Sequence, residues 1–214
     1  MTAESLGAWA KPTLRGSRAV LRPYRPSDVD AAWEMVNEPV GAALTGTDAT
    51  FTREQIAEWV LSRPSAPSRL DLVIEEVATG EFAGEAVLNG FDAVASSANY
   101  RIALRGPDWY GRGLGSEATA LMVAHAFTAV GLSRLTLDVR ADNPRAIRAY
   151  AKAGFVETGR DVSEGTTWVD MELTREAWLR RRGAVGAATP AAHHPLRSGT
   201  VRTALDAEKR APGQ

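Results

Sequence analysis

The stretch Tyr110-Gly111-Arg112-Gly113-Leu114-Gly115-Ser116-Glu117-Ala118 decides how this chain is read. Three glycines at alternate positions run straight into a segment with Ala118, Leu121, Met122 and Ala126 on one helical face. A glycine-rich turn that opens a helix is a ready anion site. Glycine lets the backbone approach a ligand closely, and the first helical turn leaves N–H groups without intrahelical partners. The dipole adds only about 0.3 to 1 kcal/mol per charge, so direct N–H hydrogen bonds must carry most of the binding. Arg112 and Arg105 can add charge. The alternative is a tight turn that holds no ligand. A P-loop would need Gly-x-x-x-x-Gly-Lys-Ser/Thr, and the dinucleotide fingerprint spaces its glycines Gly-x-Gly-x-x-Gly after a first strand. Gly-x-Gly-x-Gly, late in the chain and without lysine, fits neither.

Downstream, Gly131 supplies the left-handed residue that ends the central helix, and Leu132 closes the hydrophobic part of that cap. Leu135, Leu137 and Val139 alternate as a strand. Asn143 is an N-cap with Pro144 at the first helical position, and Gly154 ends that second helix. A strand starts at Phe155, and Thr167, Val169, Met171 and Leu173 alternate in the last one. A terminal helix is expected from about Arg175, with Arg180, Arg181 and Arg182 complementing its C-terminal dipole.

Upstream, Ala19 to Arg22 form a short strand ended by Pro23. Ser27, three residues before Asp30, signals a helix carrying Val29, Ala32, Trp33 and Val36, which Pro39 closes. Thr52 and Gln55 repeat the capping-box pattern before Ile56, Trp59 and Val60. Leu70 to Val77 and Phe82 to Leu88 read as a β-hairpin, and Tyr100, Ile102 and Leu104 as a further strand. Strands that alternate with helices and hairpins predict a mixed α/β sheet. Residues 1–17 read as a loose lead-in, 18–182 as one domain, and 183–214 as a flexible tail low in apolar periodicity. The pair His193–His194 falls in that tail, and two ligands alone rarely make a metal site.

Lys plus Arg number 25 against 26 Asp plus Glu, a balance that argues against wholesale nucleic-acid binding. No run approaches the roughly 18 to 20 apolar residues that span a bilayer, and no basic-then-apolar leader opens the chain. The absence of cysteine removes disulfides, thiolate metal sites and a cysteine nucleophile. A cytoplasmic location is expected.

The glycine segment resembles the acetyl-CoA pyrophosphate loop of the GNAT N-acetyltransferase superfamily, whose usual form is Gln/Arg-x-x-Gly-x-Gly/Ala. Asn143-Pro144-Arg145-Ala146-Ile147-Arg148-Ala149-Tyr150, continuing to Gly154-Phe155, is similar to that family's second motif. The opening Val20-Leu21-Arg22-Pro23, with Asp28 and Trp33, resembles the branch of ribosomal-protein N-terminal acetyltransferases. The resemblance covers the chain from Arg18 to about Trp178. It implies a mostly antiparallel central sheet flanked by helices, acetyl-CoA as co-substrate and no metal. It also implies that the backbone from Tyr110 to Ser116 holds the pyrophosphate, including Gly111, Arg112, Gly113, Leu114 and Gly115. The edge of the Tyr100 to Leu104 strand, with Ile102 and Leu104, would pair with the pantetheine arm. Asn143 would sit near that arm, and Tyr150 near the sulfur as the acid. A phenol of pKa near 10 is protonated at neutral pH and can donate to a departing thiolate. The acceptor would be a primary amine of a small molecule or a protein N-terminus, met by the helices around Trp33 to Trp59. Homodimers are common in the family.

Two departures leave alternatives open. Tyr110 stands where the pattern usually has Gln or Arg. Asn99 stands roughly where a glutamate often serves as base, and Glu85 and Asp92 are the substitutes. Asn143 can be only a cap, Tyr150 only a core aromatic, and His125 a packed helix histidine. The loop from Gly41 to Thr50 carries one carboxylate, Asp48, which gives a strongly cationic antibiotic no support as substrate. An acyl-CoA-binding sensor of the same fold, without turnover, is the alternative to an enzyme.

Overall fold

Leu70, Leu72 and Ile74 alternate with Asp71 and Val73, and all five are buried. A strand that is buried on both faces must lie inside a sheet covered on both sides. The computed structural model of the protein describes residues 11–183 and contains that sheet. Its strands are β1 (Leu14–Arg15), β2 (Ala19–Arg22), β3 (Leu70–Glu76), β4 (Phe82–Asp92), β5 (Ser97–Leu104), β6 (Arg134–Arg140), β7 (Val156–Ser163) and β8 (Thr166–Thr174). The helices are α1 (Val29–Val36), α2 (Pro39–Thr45), α3 (Arg53–Ser62), α4 (Leu114–His125), α5 (Pro144–Ala153) and α6 (Arg175–Gly183). The eight strands lie in the order β1-β2-β3-β4-β5-β6-β8-β7. Every neighbouring pair is antiparallel except β5 and β6. The expected mixed, mostly antiparallel sheet flanked by helices is present.

Each face has its own core. Leu70, Leu72 and Ile74 pack with Met122, Phe127 and Phe155 on the α4 side, where Trp178 of α6 meets Phe127 at 5.5 Å. Val73 packs with Tyr24, Ala32, Ile56 and Val60 on the α1 and α3 side. The outer strand β7 is mostly exposed, and Glu157, Arg160 and Asp161 blunt that edge against pairing with another chain.

Thr52 and Gln55 cap α3 reciprocally, with the side chains 3.2 and 2.8 Å from their N–H donors. Asn143 Oδ1 accepts the Ala146 N–H at 3.1 Å at the head of α5. Beyond His125 the central helix continues as a π-helical turn, Ala126–Val130, closed by Gly131 and by the Leu132 N–H donating to the Ala126 carbonyl. The start of α1 differs from expectation. Ser27 makes no cap; instead Asp28 accepts the Arg25 N–H at 2.7 Å and two bonds from the Arg22 guanidinium at 2.8 Å. A short 3-10 turn, Pro26–Asp28, therefore precedes the helix. Pro39 also does more than close α1. It opens α2, where its missing N–H costs nothing, and Glu38 caps the Val40 and Gly41 amides. Half of the loop expected over Gly41 to Thr50 is thus helical.

Leu14 and Arg15, within the lead-in, pair with Leu21 and Val20 at the sheet edge. Residues 1–10 and the tail beyond Gly183, with His193 and His194, lie outside the described residues. Among the described residues no helix is long and apolar enough to cross a membrane.

Candidate active site

The parallel pairing of β5 with β6 is short: Ser97, Ala98 and Asn99 register with Arg134, Leu135 and Thr136, and the strands then part. The gap is a cleft of about 360 Å³. Its walls are Tyr100 to Leu104 on β5 and Asp138 with Val139 on β6. Backbone groups alternate sides along a strand, so alternate residues of β5 beyond Asn99 have N–H and C=O groups aimed at this opening.

The glycine loop closes one end. Gly111 and Gly113 have φ of 76° and 84°, a region that side chains with a Cβ rarely adopt. Gly113 is the N-cap of α4 and brings no capping side chain, so first-turn amides of Leu114, Gly115 and Ser116 are left for an outside acceptor. All three residues line the cleft, as do Tyr110, Gly111 and Gly113. Glu117 faces the other way. Its carboxylate accepts from the Ser17, Arg18 and Ala19 amides at 2.7 to 2.9 Å and from the Ser17 hydroxyl at 2.7 Å. Partial burial would raise its pKa, but these bonds outweigh it and hold the carboxyl at about 2. A second link fixes α4 against β5. The Thr119 hydroxyl lies 2.8 Å from the Gly115 carbonyl and donates to it, so the buried Tyr100 hydroxyl, 2.9 Å away, must donate to Thr119.

Of the arginines expected to add charge here, neither does. Arg112 lies over the Trp109 ring and pairs with Glu76 at 3.2 Å, while Arg105 pairs with Glu34. Both are turned out of the cleft, each satisfied by its own carboxylate.

From α5, Asn143 and Tyr150 both reach the cleft. Asn143 is therefore a helix cap and a lining residue together. Tyr150 is buried, with its ring edge-on to Tyr100 at 6.4 Å and to Phe155 at 6.0 Å. Its hydroxyl has no hydrogen-bond partner among the described residues. Burial, reinforced by Asp138, pushes the phenol up to about 12. It is a proton donor at any physiological pH.

The candidate carboxylates separate cleanly. Asn99 is the last residue in register with β6, at the closed end of the seam. Asp92 accepts the Val94 and Ala95 amides at 2.8 and 2.9 Å and shapes the β4–β5 turn. Glu85 lines the cleft and accepts the Tyr24 hydroxyl at 2.7 Å. Burial, with repulsion from Asp71, raises its pKa despite that bond and the nearby Arg101. His125 lies half-buried at the end of α4, away from the cleft, with its pKa lowered by burial.

The sequence assigns no individual role to several residues that line the cleft: Gly41, Leu44 and Thr45 of α2, Asp138, Arg145 and Trp168. The α2 end is set by contact, since a Cβ on Gly46 would come 3.0 Å from the Trp168 indole. Only Asp138 left a signal, as the polar position between Leu137 and Val139.

Similarity to known proteins agrees with this geometry. Residues 18–156 match the model of the acetyltransferase (GNAT) domain. The spermidine N(1)-acetyltransferase of Escherichia coli K12 is 34% identical over 85 residues, which are 40% of this chain and 45% of that protein. A kanamycin resistance protein of Rhizobium radiobacter is 35% identical over 72 residues, 34% of this chain and 67% of that one. The chain thus spans about half the length of the spermidine enzymes it matches. Among solved structures, spermidine N-acetyltransferase from Vibrio cholerae in complex with CoA and spermine superimposes with a TM-score of 0.70. That match has 20% identity and covers 77% of this chain and 99% of the other. An acetyltransferase of Bacillus anthracis gives a TM-score of 0.68 at 15% identity, covering 77% and 99%. With more than half of its length matched by the domain model, and the same fold in these structures, the chain belongs to the GNAT acetyltransferase family.

Proposed function

We propose that the protein is an N-acetyltransferase that moves the acetyl group of acetyl-CoA directly to a primary amine. One observation carries the reading. A single cleft holds an uncapped helix start at one end and, along its wall, a protonated tyrosine hydroxyl that has no hydrogen-bond partner among the described residues. The residues fit the donor. The first-turn amides of α4 suit a pyrophosphate, and the β5 edge suits an amide-bearing arm laid along it. When bound, acetyl-CoA supplies an acetyl thioester.

The chain's own groups do the rest. Glu85 takes the proton that the amine loses as its nitrogen bonds to the acetyl carbon, directly or through one water. Tyr150 gives its hydroxyl proton to the sulfur as the carbon–sulfur bond breaks. A free N–H of β5 stabilises the charge that develops on the acetyl oxygen. No covalent enzyme intermediate is needed.

The acceptor is an amine of a small molecule or a protein N-terminus, and a polyamine is the first to test. Two carboxylates, Glu85 and Asp138, open on the cleft, and the spermidine enzymes above are relatives. None of the relatives cited is a ribosomal-protein acetyltransferase, so the branch likeness at Val20 to Pro23 carries no acceptor here. The sensor reading rests on Asn99 and on the tail beyond residue 183, which lies outside the described residues; against the first, Glu85 offers a carboxylate in the cleft.

Thermal unfolding with acetyl-CoA tests the donor site. Ligand at about 100 times its Kd adds about 2.7 kcal/mol, a rise of roughly 5 to 10 °C for a domain of this size. Release of free CoA with spermidine, and with a panel of other amines and N-terminal peptides, then tests turnover. Binding without release with any amine would leave a sensor. No thermal shift at all would remove both readings.

A further inference from the structure

Arg145 stands in the first turn of α5, which contains no acidic residue. The positive end of the helix dipole disfavours a cation there. The guanidinium nevertheless has no carboxylate partner among the described residues. It lies instead over the ring of Tyr110, 3.6 Å from the centroid, at the head of the glycine loop. That stack offsets part of the cost. Both residues line the cleft. The uncapped start of α4 opens on the same place, so two helix N-termini converge there with an arginine that has no carboxylate partner among the described residues. Every one of these features is relieved by an anion. Of the other arginines near the loop, Arg105 and Arg112 are tied to Glu34 and Glu76. Arg18 reaches Gly113 but does not line the cleft, and Arg101 lines it on β5, close enough to Glu85 to act on its charge.

We propose that Arg145 is the phosphate-binding cation of the donor cleft, and that Tyr110 is the platform that holds its guanidinium in place. The inference rests on the donor reading and deepens it. A planar guanidinium offers two parallel N–H groups to one phosphate, and an aromatic face beneath it leaves its edge free to donate. Tyr110 acts through Arg145 and is a positioning residue.

The test is calorimetric binding of CoA and of dephospho-CoA, which lacks the ribose 3′-phosphate, to the whole chain and to the variants Arg145→Ala, Arg145→Lys and Tyr110→Leu. Loss of one charged hydrogen-bonding pair predicts that Arg145→Ala binds CoA about 10- to 100-fold more weakly. Arg145→Lys should recover part of that loss, and Tyr110→Leu should lose less than Arg145→Ala. The unfolding midpoint of ligand-free Arg145→Ala should not fall, because a cation leaves the positive end of α5. If the preference for CoA over dephospho-CoA collapses in Arg145→Ala, the phosphate met is the ribose 3′-phosphate. If both ligands weaken equally, it is the pyrophosphate. Either outcome supports the proposal. Arg145→Ala binding CoA within about twofold of the parent would overturn it and leave the donor reading intact, whereas a parent chain that binds no CoA would overturn both.

Discussion

The Tyr24 hydroxyl donates to Glu85 Oε2 across 2.7 Å, tying the chain just after β2 to the middle of β4. Tyr24 is itself held edge-on by Trp59 of α3, with ring centroids 5.2 Å apart. The orientation of the carboxylate proposed as base is therefore set by the same helices that bound the acceptor side. Mutations in α3 that loosen Trp59 would be felt at Glu85.

The raised pKa of Glu85 fixes the sign of two effects. As a base it works ionised, so the acid limb of kcat should lie above the ordinary carboxylate range. In Glu85→Gln, kcat should fall about 100-fold or more and that limb should vanish. Stability moves the other way. A carboxyl that holds its proton more tightly when folded loses folding stability as pH rises from the unfolded pKa through the folded one. Glu85→Gln, which can still accept from Tyr24, should therefore unfold at an equal or higher temperature than the parent at pH 7.

Removing only the Tyr24 hydroxyl tests the bond itself. A donor to the ionised form favours that form. Tyr24→Phe should move the acid limb of kcat upward, and a pH–rate profile reads the shift. An unmoved limb would separate Glu85 from the chemistry.

If the phenol acts on the departing sulfur as proposed, Tyr150→Phe should lower kcat about 100-fold while CoA binds as before. With the phenol at about 12, the parent should show no falling limb from this group below about pH 11.

Glu117 predicts a pH-dependent stability. Its pKa of about 2 when folded lies below the ordinary value, so its contribution is full above about pH 4.5 and is lost as pH falls toward 2. The carboxylate is partly solvated, which screens its interactions. We expect Glu117→Gln to cost about 1 to 2 kcal/mol at pH 7 and almost nothing at pH 2, read by denaturant titration.

Gly84 has φ of 156°, and a Cβ there would meet the Ala103 carbonyl oxygen at 2.2 Å. Gly84→Ala must push β4 and β5 apart beside Glu85. A loss of about 3 kcal/mol or more in thermal unfolding is expected, with acetyl transfer falling alongside.

What the sequence made legible was local. The caps at Thr52 and Asn143, the Gly131 stop and the glycine loop each depend on residues within a few positions, and each was readable. Pro39 misled because the same residue ends one helix and opens another, and only the Glu38 cap distinguishes the two. Glu85 could not be ranked over Asp92, since Asp71, which helps raise its pKa, and Tyr24, which orients it, are distant from it in sequence. The order β6-β8-β7, which brings Trp168 to the cleft, also leaves no local trace.

The short seam between β5 and β6 has one more consequence. Where the strands part, the edge of β5 that faces β6 has no partner strand, although it lies in the middle of an eight-stranded sheet. An occupant with amide groups spaced along an extended arm would act as a temporary ninth strand and restore the missing ladder. Deuterium uptake between Arg101 and Leu104 should then slow on loading, which makes the continuity of the sheet itself a reporter of occupancy.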